Sequence, residues 1–503
     1  MHAKDSSRRL TLRAVGAVLV FCALPAAAAL AGELEDQRRL FEQVYAHAER
    51  GDWGPVENLD PEEQQLLQQY VLWPDLRAAW LRAKLKTVDA AEVDGFLSQY
   101  GSLRPGRQLR YRYALTLART GDLEQFQRIY EQFYQGHGNA RLDCYSLQAD
   151  IDAARHTRIP GRALDLWLTG TSQVDECDPV FEYLADKQLL GPVEYRRRFA
   201  LAVEAREFRL ARWLAKGIDD EHVATATRWM QAQSKPDGFL ARHDASLQSD
   251  AYREQLVYAT ERLTYRDPEA ALRAWKKIEQ RYGFSEEQKL HVNRHIALWT
   301  ARDNLPGAYR LLTKLPAAAR DDEVWRWRAR SSLREEKWIR LLSDISTMPQ
   351  QEREREEWRY WKAIAYLHTG RQDYAHSQLE ALSAERSYYG FLAADETGAA
   401  YAFDHDALGA DETIIEMLSS REDLVRAREL FLVGLDSRGR SEWDSAVAGL
   451  SAEEKAQAAV LAHRWGWPSR AIATAASASA SSAPCGLRAS TLRLGCMVCP
   501  TAA

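Results

Sequence analysis

Apolar residues recur along this chain at helical spacing. Trp361, Ile364, Ala365 and His368 stand at i, i+3, i+4 and i+7, which places them on one face of a helix. Thr369-Gly370 interrupts the run, and a second helical run brings Ala375, Leu379 and Leu382 to one side. The unit occurs repeatedly. After Asp267 the shared face is Ala271, Ala274, Trp275 and Ile278; after Asp303 it is Ala308, Leu311, Leu312 and Leu315. After Glu336 it is Trp338, Leu341, Leu342 and Ile345. The turns at Asp267, Asp303, Glu336 and Gly370 are 36, 33 and 34 residues apart, a helix-hairpin period. Earlier, Tyr111, Ala114, Leu115 and Ala118 precede a Gly121-Asp122 turn, and Leu123, Phe126, Tyr130 and Phe133 follow it. A hairpin with two apolar faces cannot bury both alone, so neighbours must stack. The pattern predicts an all-α protein, a curved helix-hairpin solenoid.

Beyond Ser387 the spacing changes. Short helices are predicted from Asp411-Glu412 to Ser419, Leu424 to Val433, Glu442 to Ala448 and Ala452 to Trp465, with Pro468 stopping the last. From Ala475 to Pro484 the chain is almost only Ala and Ser, and Cys485, Cys496 and Cys499 follow within fifteen residues. No amphipathic pattern survives there. The expected organisation is a leader at 1–31, a superhelical domain at 32–386, a small helical linker domain at 387–474 and an unstructured tail at 475–503.

Composition agrees with this picture and adds an address. The 503 residues are 46% hydrophobic and 28% charged, a globular balance rich in good helix formers. Sixteen Trp serve mainly as packing anchors, leaving a minority free to stack on sugar rings. Lys4, Arg8, Arg9 and Arg13 precede an apolar run from Ala14 to Leu24, and Ala29-Leu30-Ala31 forms a small-residue cleavage site before Gly32. The run is too short to span a bilayer, and Phe21 is too bulky to precede a lipid-modified Cys22. The expectation is an exported protein, cleaved after Ala31, with no stable membrane anchor. Cleavage removes four basic and one acidic side chain, moving the formal charge from -5 to -8. Such a chain has no long-range attraction to nucleic acid. Between leader and tail only Cys144 and Cys177 occur, and an oxidising compartment favours a disulfide over two separate buried thiols.

Candidate chemistry is sparse. Cys496-Met497-Val498-Cys499 has C-x-x-C spacing but lacks the four ligands of a zinc site. His291 and His295 share a helical face, yet Val292 stands where a zinc protease needs Glu. Gly136-His137-Gly138-Asn139 lacks the Lys and Ser/Thr of a phosphate loop. The Glu352–Glu357 run reads as a solvated helix start. Acids are plentiful, but none is marked as one of two carboxylates across a cleft. These readings assign no catalytic residue, metal ligand or cofactor, and leave substrate-binding residues unassigned.

The order of several short motifs adds a family. Leu72-Trp73-Pro74-Asp75-Leu76, Glu357-Trp358-Arg359-Tyr360-Trp361, Tyr388-Tyr389-Gly390-Phe391, Arg428-Glu429-Leu430 and Ser441-Glu442-Trp443 together resemble the soluble lytic transglycosylases over roughly residues 35–474. The resemblance implies a right-handed α-superhelix, U- or ring-shaped, and a small helical linker domain ahead of a lysozyme-like catalytic domain. It implies a periplasmic enzyme that cuts the β-1,4 bond between N-acetylmuramic acid and N-acetylglucosamine without water, leaving a 1,6-anhydro end. Its partners would be peptidoglycan glycan strands and other cell-wall enzymes. The family's catalytic Glu-Ser and Gly-Leu-Met-Gln stretch have no counterpart here, so the chain is expected to be inactive alone. A frameshift or premature end would explain this, and the downstream reading frames of the gene test it. The alternatives are a periplasmic scaffold that binds peptidoglycan or a partner enzyme, an intact product that is active, and a folded remnant.

Overall fold

The computed structural model describes the backbone of residues 23–403 and 409–482, and the side chains of 32–403 and 409–478. Cys485, Cys496, Cys499 and nearly all of the leader lie outside the described residues. What is described holds 29 α-helices, three short 3-10 turns and no strand. Two compact units result. One combines the chain up to Gln135 with the chain after residue 405; the other is Gly136–His405.

The second unit is a series of helix hairpins, and its turns share one backbone device. Ala154, Gln188, Arg206, Asn304, Glu336 and Gly370 all have positive φ, between 53° and 84°. At each, the next residue's N–H reaches five residues back, as in Leu305 N to Thr300 O, Lys337 N to Ser332 O and Arg371 N to Tyr366 O, all 3.0 Å. This is the helix-ending motif that satisfies orphan carbonyls through one left-handed residue. Because the bond is made by backbone, six different residue types occupy that position. The repeat is therefore fainter in sequence than in structure.

The cores run along the unit in series. One cluster joins Leu147, Trp167, Val180 and Leu214; the next joins Phe208, Trp229, Leu256 and Trp275. Ala297, Leu298 and Leu312 form a third, Leu341, Ile345 and Trp358 a fourth, and Ile364, Leu379 and Ala393 a fifth. Each hairpin thus covers the face its neighbour leaves open, as a solenoid requires. Cys144 and Cys177 are bonded, with Cα atoms 5.0 Å apart, and link helix Ala140–Asp152 to the turn Asp175–Cys177.

Two features depart from the pattern-based expectation. Helix Tyr388–Thr397 packs on the last hairpin through Ala393, and a Cβ at Gly390 would meet the Glu385 carbonyl oxygen at 2.0 Å. Glycine is what lets Tyr-Tyr-Gly-Phe start there, so this helix closes the repeats instead of opening a linker at 387. The final helix runs from Pro468 to Ser482, eight residues past Thr474. Alanine is the strongest helix former, and Ala478 is buried, so a run lacking amphipathic pattern still extends the fold. The remainder of the expected tail lies outside the described residues.

The first unit packs early helices of the described chain against late ones. Leu40, Phe41, Val44, Tyr70 and Leu76 form a core that includes Leu430. The C-terminal helices form their own core around Leu424, Trp443, Leu461 and Trp467, and the Trp443 indole N–H donates to Thr474 Oγ1 at 2.9 Å.

Candidate functional site

The sequence candidates resolve into structural roles. Among the described residues no group of three or more His, Cys, Asp and Glu converges as a metal site. Asn139 caps helix Ala140–Asp152, accepting from Leu142 N at 3.2 Å, while Gly136 and Gly138 supply left-handed backbone. Glu352 differs from its expected solvated state. It is 4% exposed, gripped by both Arg326 nitrogens at 2.7 Å and by the Trp358 indole N–H at 2.9 Å. Arg326, 26 residues earlier, comes from another turn of the solenoid, which a local charge run does not reveal.

His291 and His295 face along one helix with rings 6.3 Å apart, but their surroundings separate them. The exposed His291 ring pairs with Glu261. That hydrogen bond raises its pKa above 6.5 and outweighs burial; burial lowers that of His295, which packs on Tyr265 and Trp299. A histidine with a raised folded pKa contributes stability below its unfolded value of 6.5 and loses that contribution as pH rises through the folded value. Titration of the imidazole protons by NMR should place His291 above 6.5 and His295 below it. The reverse order would refute the pairing. His291→Gln should remove the His291 step and flatten the fall in stability above pH 6.5.

What gathers charge is a cleft in the first unit. Helix Arg104–Thr120 presents Arg104, Arg107, Gln108, Tyr111 and Arg112 at i, i+3, i+4, i+7 and i+8, a single helical face. Its opposite side, with Leu109, Tyr113 and Leu117, is buried. Tyr111 lies at the cleft, while Ala114, Leu115 and Ala118, further along the same expected apolar face, are buried. Helix Trp73–Lys84 adds Arg82, and helix Asp436–Ala448 adds Arg438, enclosing about 720 Å³. Arg438 donates to Tyr45 OH at 2.6 Å, and its carbonyl accepts from Arg104 at 3.4 Å. Burial pushes the Tyr45 hydroxyl up to about 12, against the pull of Arg438. Glu49 lies 3.8 Å from both Arg82 and Arg438. Arg104, Arg107 and Arg112 pair with no carboxylate among the described residues. Five guanidinium groups thus share one acid, although the chain as a whole is acidic. No carboxylate lines the cleft, so it can hold an anion but offers it no acid or base.

The wall bearing Arg438 is seated by buried polar contacts. Glu429, fully buried, accepts from Arg38 at 2.9 and 3.0 Å and from Tyr70 OH at 2.8 Å. Burial and this carboxylate together push the Tyr70 hydroxyl far above the ordinary phenol value. Arg426, 3% exposed, pairs with Asp75 and donates to Val71 O at 2.9 Å. Asp75 and Glu429 both belong to motifs that stood out in the sequence, and both serve to join early helices to late ones. Nothing local marked Arg38, Arg426 or the cleft arginines. The one available signal was basic residues at i, i+3 and i+8, which reads first as a solvated face.

Comparison with known proteins places these helices. Residues 418–480 match a family described as the soluble lytic murein transglycosylase L domain. The chain is 27% identical to the soluble lytic murein transglycosylase of Salmonella typhimurium over 476 residues, covering 92% of this chain and 70% of that protein. The Escherichia coli K12 protein of the same description is 25% identical over 473 residues, with the same coverage. The solved lytic transglycosylase Slt of Pseudomonas aeruginosa, an inactive mutant, is 27% identical with a TM-score of 0.64, covering 88% of this chain and 70% of that one. A 70-kDa soluble lytic transglycosylase solved with bulgecin A is 24% identical with a TM-score of 0.71, covering 89% and 71%, and shares the all-α superhelical fold.

Proposed function

Because this chain is a homologue of the soluble lytic murein transglycosylases over 92% of its length, we propose that it acts in peptidoglycan metabolism as a platform that holds glycan strands. The observation that carries this is the cleft itself. Peptidoglycan bears carboxylates on its muramic acid residues and its peptide stems, and unpaired guanidinium groups bind carboxylates strongly and directionally. Arg104, Arg107 and Arg112 are free to do so, while Arg438 holds the C-terminal wall of the cleft to Tyr45. Tyr111 adds an aromatic edge at the same wall. The leader-like residues 1–31 support export to the periplasm, where the substrate is, with Gly32 as the first mature residue. In this reading the described helices bind the strand, and family chemistry, cleavage to a 1,6-anhydro muramic acid end, has no acid or base among the cleft residues.

The test uses the full mature chain recovered from a periplasmic extract, its first residue identified as Gly32. Isolated sacculi should pellet it at low salt, less so as salt rises. Arg104→Glu with Arg112→Glu should weaken pelleting about tenfold, equivalent to roughly 1.4 kcal/mol. The control Lys276→Glu, on an exposed position of the other unit, should not. Unchanged pelleting of the double variant would remove the cleft from the function. Release of 1,6-anhydro muropeptides by the purified chain would show that a catalytic carboxylate acts within it.

A further inference from the structure

The second unit holds an aromatic pocket with a buried cation. It encloses about 360 Å³ between helix Pro160–Trp167, helix Asp178–Asp186, helix Pro192–Glu204 and helix Phe208–Ala215. Arg198 lines it while only 3% exposed. Its guanidinium carbon sits 4.1 Å from the centre of the Trp167 ring and 5.7 Å from that of Phe181. Its one acceptor among the described residues is the Thr171 carbonyl, 3.3 Å from Nη2, and its Nε is buried without a partner. Desolvation lowers its pKa to about 10, so it remains charged at neutral pH. Arg198 makes no ion pair, although Asp178 lines the same pocket; a buried guanidinium left without a paired carboxylate is expensive to maintain, which points to an anion supplied from outside.

The remaining walls narrow what that anion is attached to. Trp213 is 52% exposed at the pocket and meets Trp167 edge-on at 6.0 Å. An exposed indole held rigid by a second aromatic ring suits the flat apolar face of a pyranose. Gln173, its Nε2 occupied by Thr169 Oγ1 at 2.9 Å, keeps its carbonyl available to accept from an amide N–H.

We propose that the pocket of Arg198, Trp167 and Trp213 is a saccharide subsite for a single carboxylate-bearing N-acetylated pyranose, the carboxylate on Arg198 and the ring on Trp213. The subsite rests on the peptidoglycan reading for its sugar but on none of the cleft residues for its geometry. The Cys144–Cys177 bond immediately precedes the helix that carries Asp178 and Phe181, so one wall of the pocket is covalently tied to helix Ala140–Asp152.

The experiment is titration of the full mature chain with N-acetylmuramic acid, N-acetylglucosamine and lactate, followed by tryptophan fluorescence and calorimetry. N-acetylmuramic acid should bind at least about tenfold more tightly than N-acetylglucosamine, the difference expected for one charged hydrogen-bonded contact. Trp213→Ala, at an exposed position that leaves folding intact, should abolish binding. Arg198→Met should remove the preference between the two sugars, and Arg198→Lys should restore part of it. Equal binding of both sugars by the unmodified chain would overturn the proposal, as would lactate binding as tightly as N-acetylmuramic acid, or binding unaffected by Trp213→Ala. If the sugar fails to bind while sacculi still pellet the chain through the arginine cleft, the subsite fails and the platform stands. If sacculi also fail to pellet it, the platform falls as well.

Discussion

Replacing Asp75 with alanine is expected to destabilise the unit that packs early helices against late ones by about 3–5 kcal/mol, the range for leaving a buried charge without its partner. Asp75 is 4% exposed and Arg426 3%. The Arg426 guanidinium would keep the Val71 carbonyl at 2.9 Å and Glu442, 3.6 Å from its Nε. Glu442, nearer the surface, does not replace the direct contact but offsets part of the loss, so the effect should lie toward the lower end of that range. Urea unfolding followed by tryptophan fluorescence reads the loss, because Trp443 and Trp467 sit in the C-terminal core beside this pair. The double variant Asp75→Leu with Arg426→Met should recover most of the stability, since removing both charges also removes their desolvation penalty. A loss below about 1 kcal/mol for the single variant, the level of an exposed ion pair, would show that the pair is not buried as described.

The second large effect is expected from the disulfide. Cys144→Ser with Cys177→Ser should cost about 3–4 kcal/mol in the chain-entropy account, for a sequence separation of 33 residues. Both sulfurs are fully buried among Leu147, Ile159 and Val180, so exchange for two hydroxyls adds a polar burial term of the same sign. Reductant should lower the unfolding midpoint of the unmodified chain and leave the double variant unmoved. An unmodified chain insensitive to reductant under denaturing titration would mean that the bond contributes nothing. The loss should also reach the Arg198 pocket: weaker N-acetylmuramic acid binding in the double variant is expected, because the helix beginning at Asp178 loses its tether.

The arginine cleft and the two buried ion networks act at different levels. Arg104, Arg107 and Arg112 are poised for an external anion, and their substitution should change binding with little effect on folding. Arg38, Arg426, Asp75 and Glu429 satisfy one another inside the protein, and their substitution should change folding first. The motifs that resemble the transglycosylases fall mostly in the second class. Trp358 and Trp443 are fully buried, Asp75 and Glu429 are ion-paired, and Gly390 permits a close backbone approach. The resemblance was therefore carried by packing residues, which explains how it could identify a fold while assigning no binding residue.

The sequence by itself determined the helices, their hairpin period and where most of them start. These depend on contacts within a few residues: an apolar stripe of period 3.6, and caps such as Asp267 on Ala270 N or Ser285 on Gln288 N. It also left only two cysteines between leader and tail to pair. Tertiary structure alone decided which charges are buried and which are free. Asp75 and Arg426 are 351 residues apart, and Arg38 and Glu429 391, so no local pattern distinguishes them from arginines and acids on a solvated face. Glu352 departs from its expected solvated state through Arg326, 26 residues away, and nothing local marks Arg104, Arg107 and Arg112. A side chain's periodicity fixes the direction it points from its own helix. Whether that direction meets a partner, a cleft or water depends on which distant helix packs there.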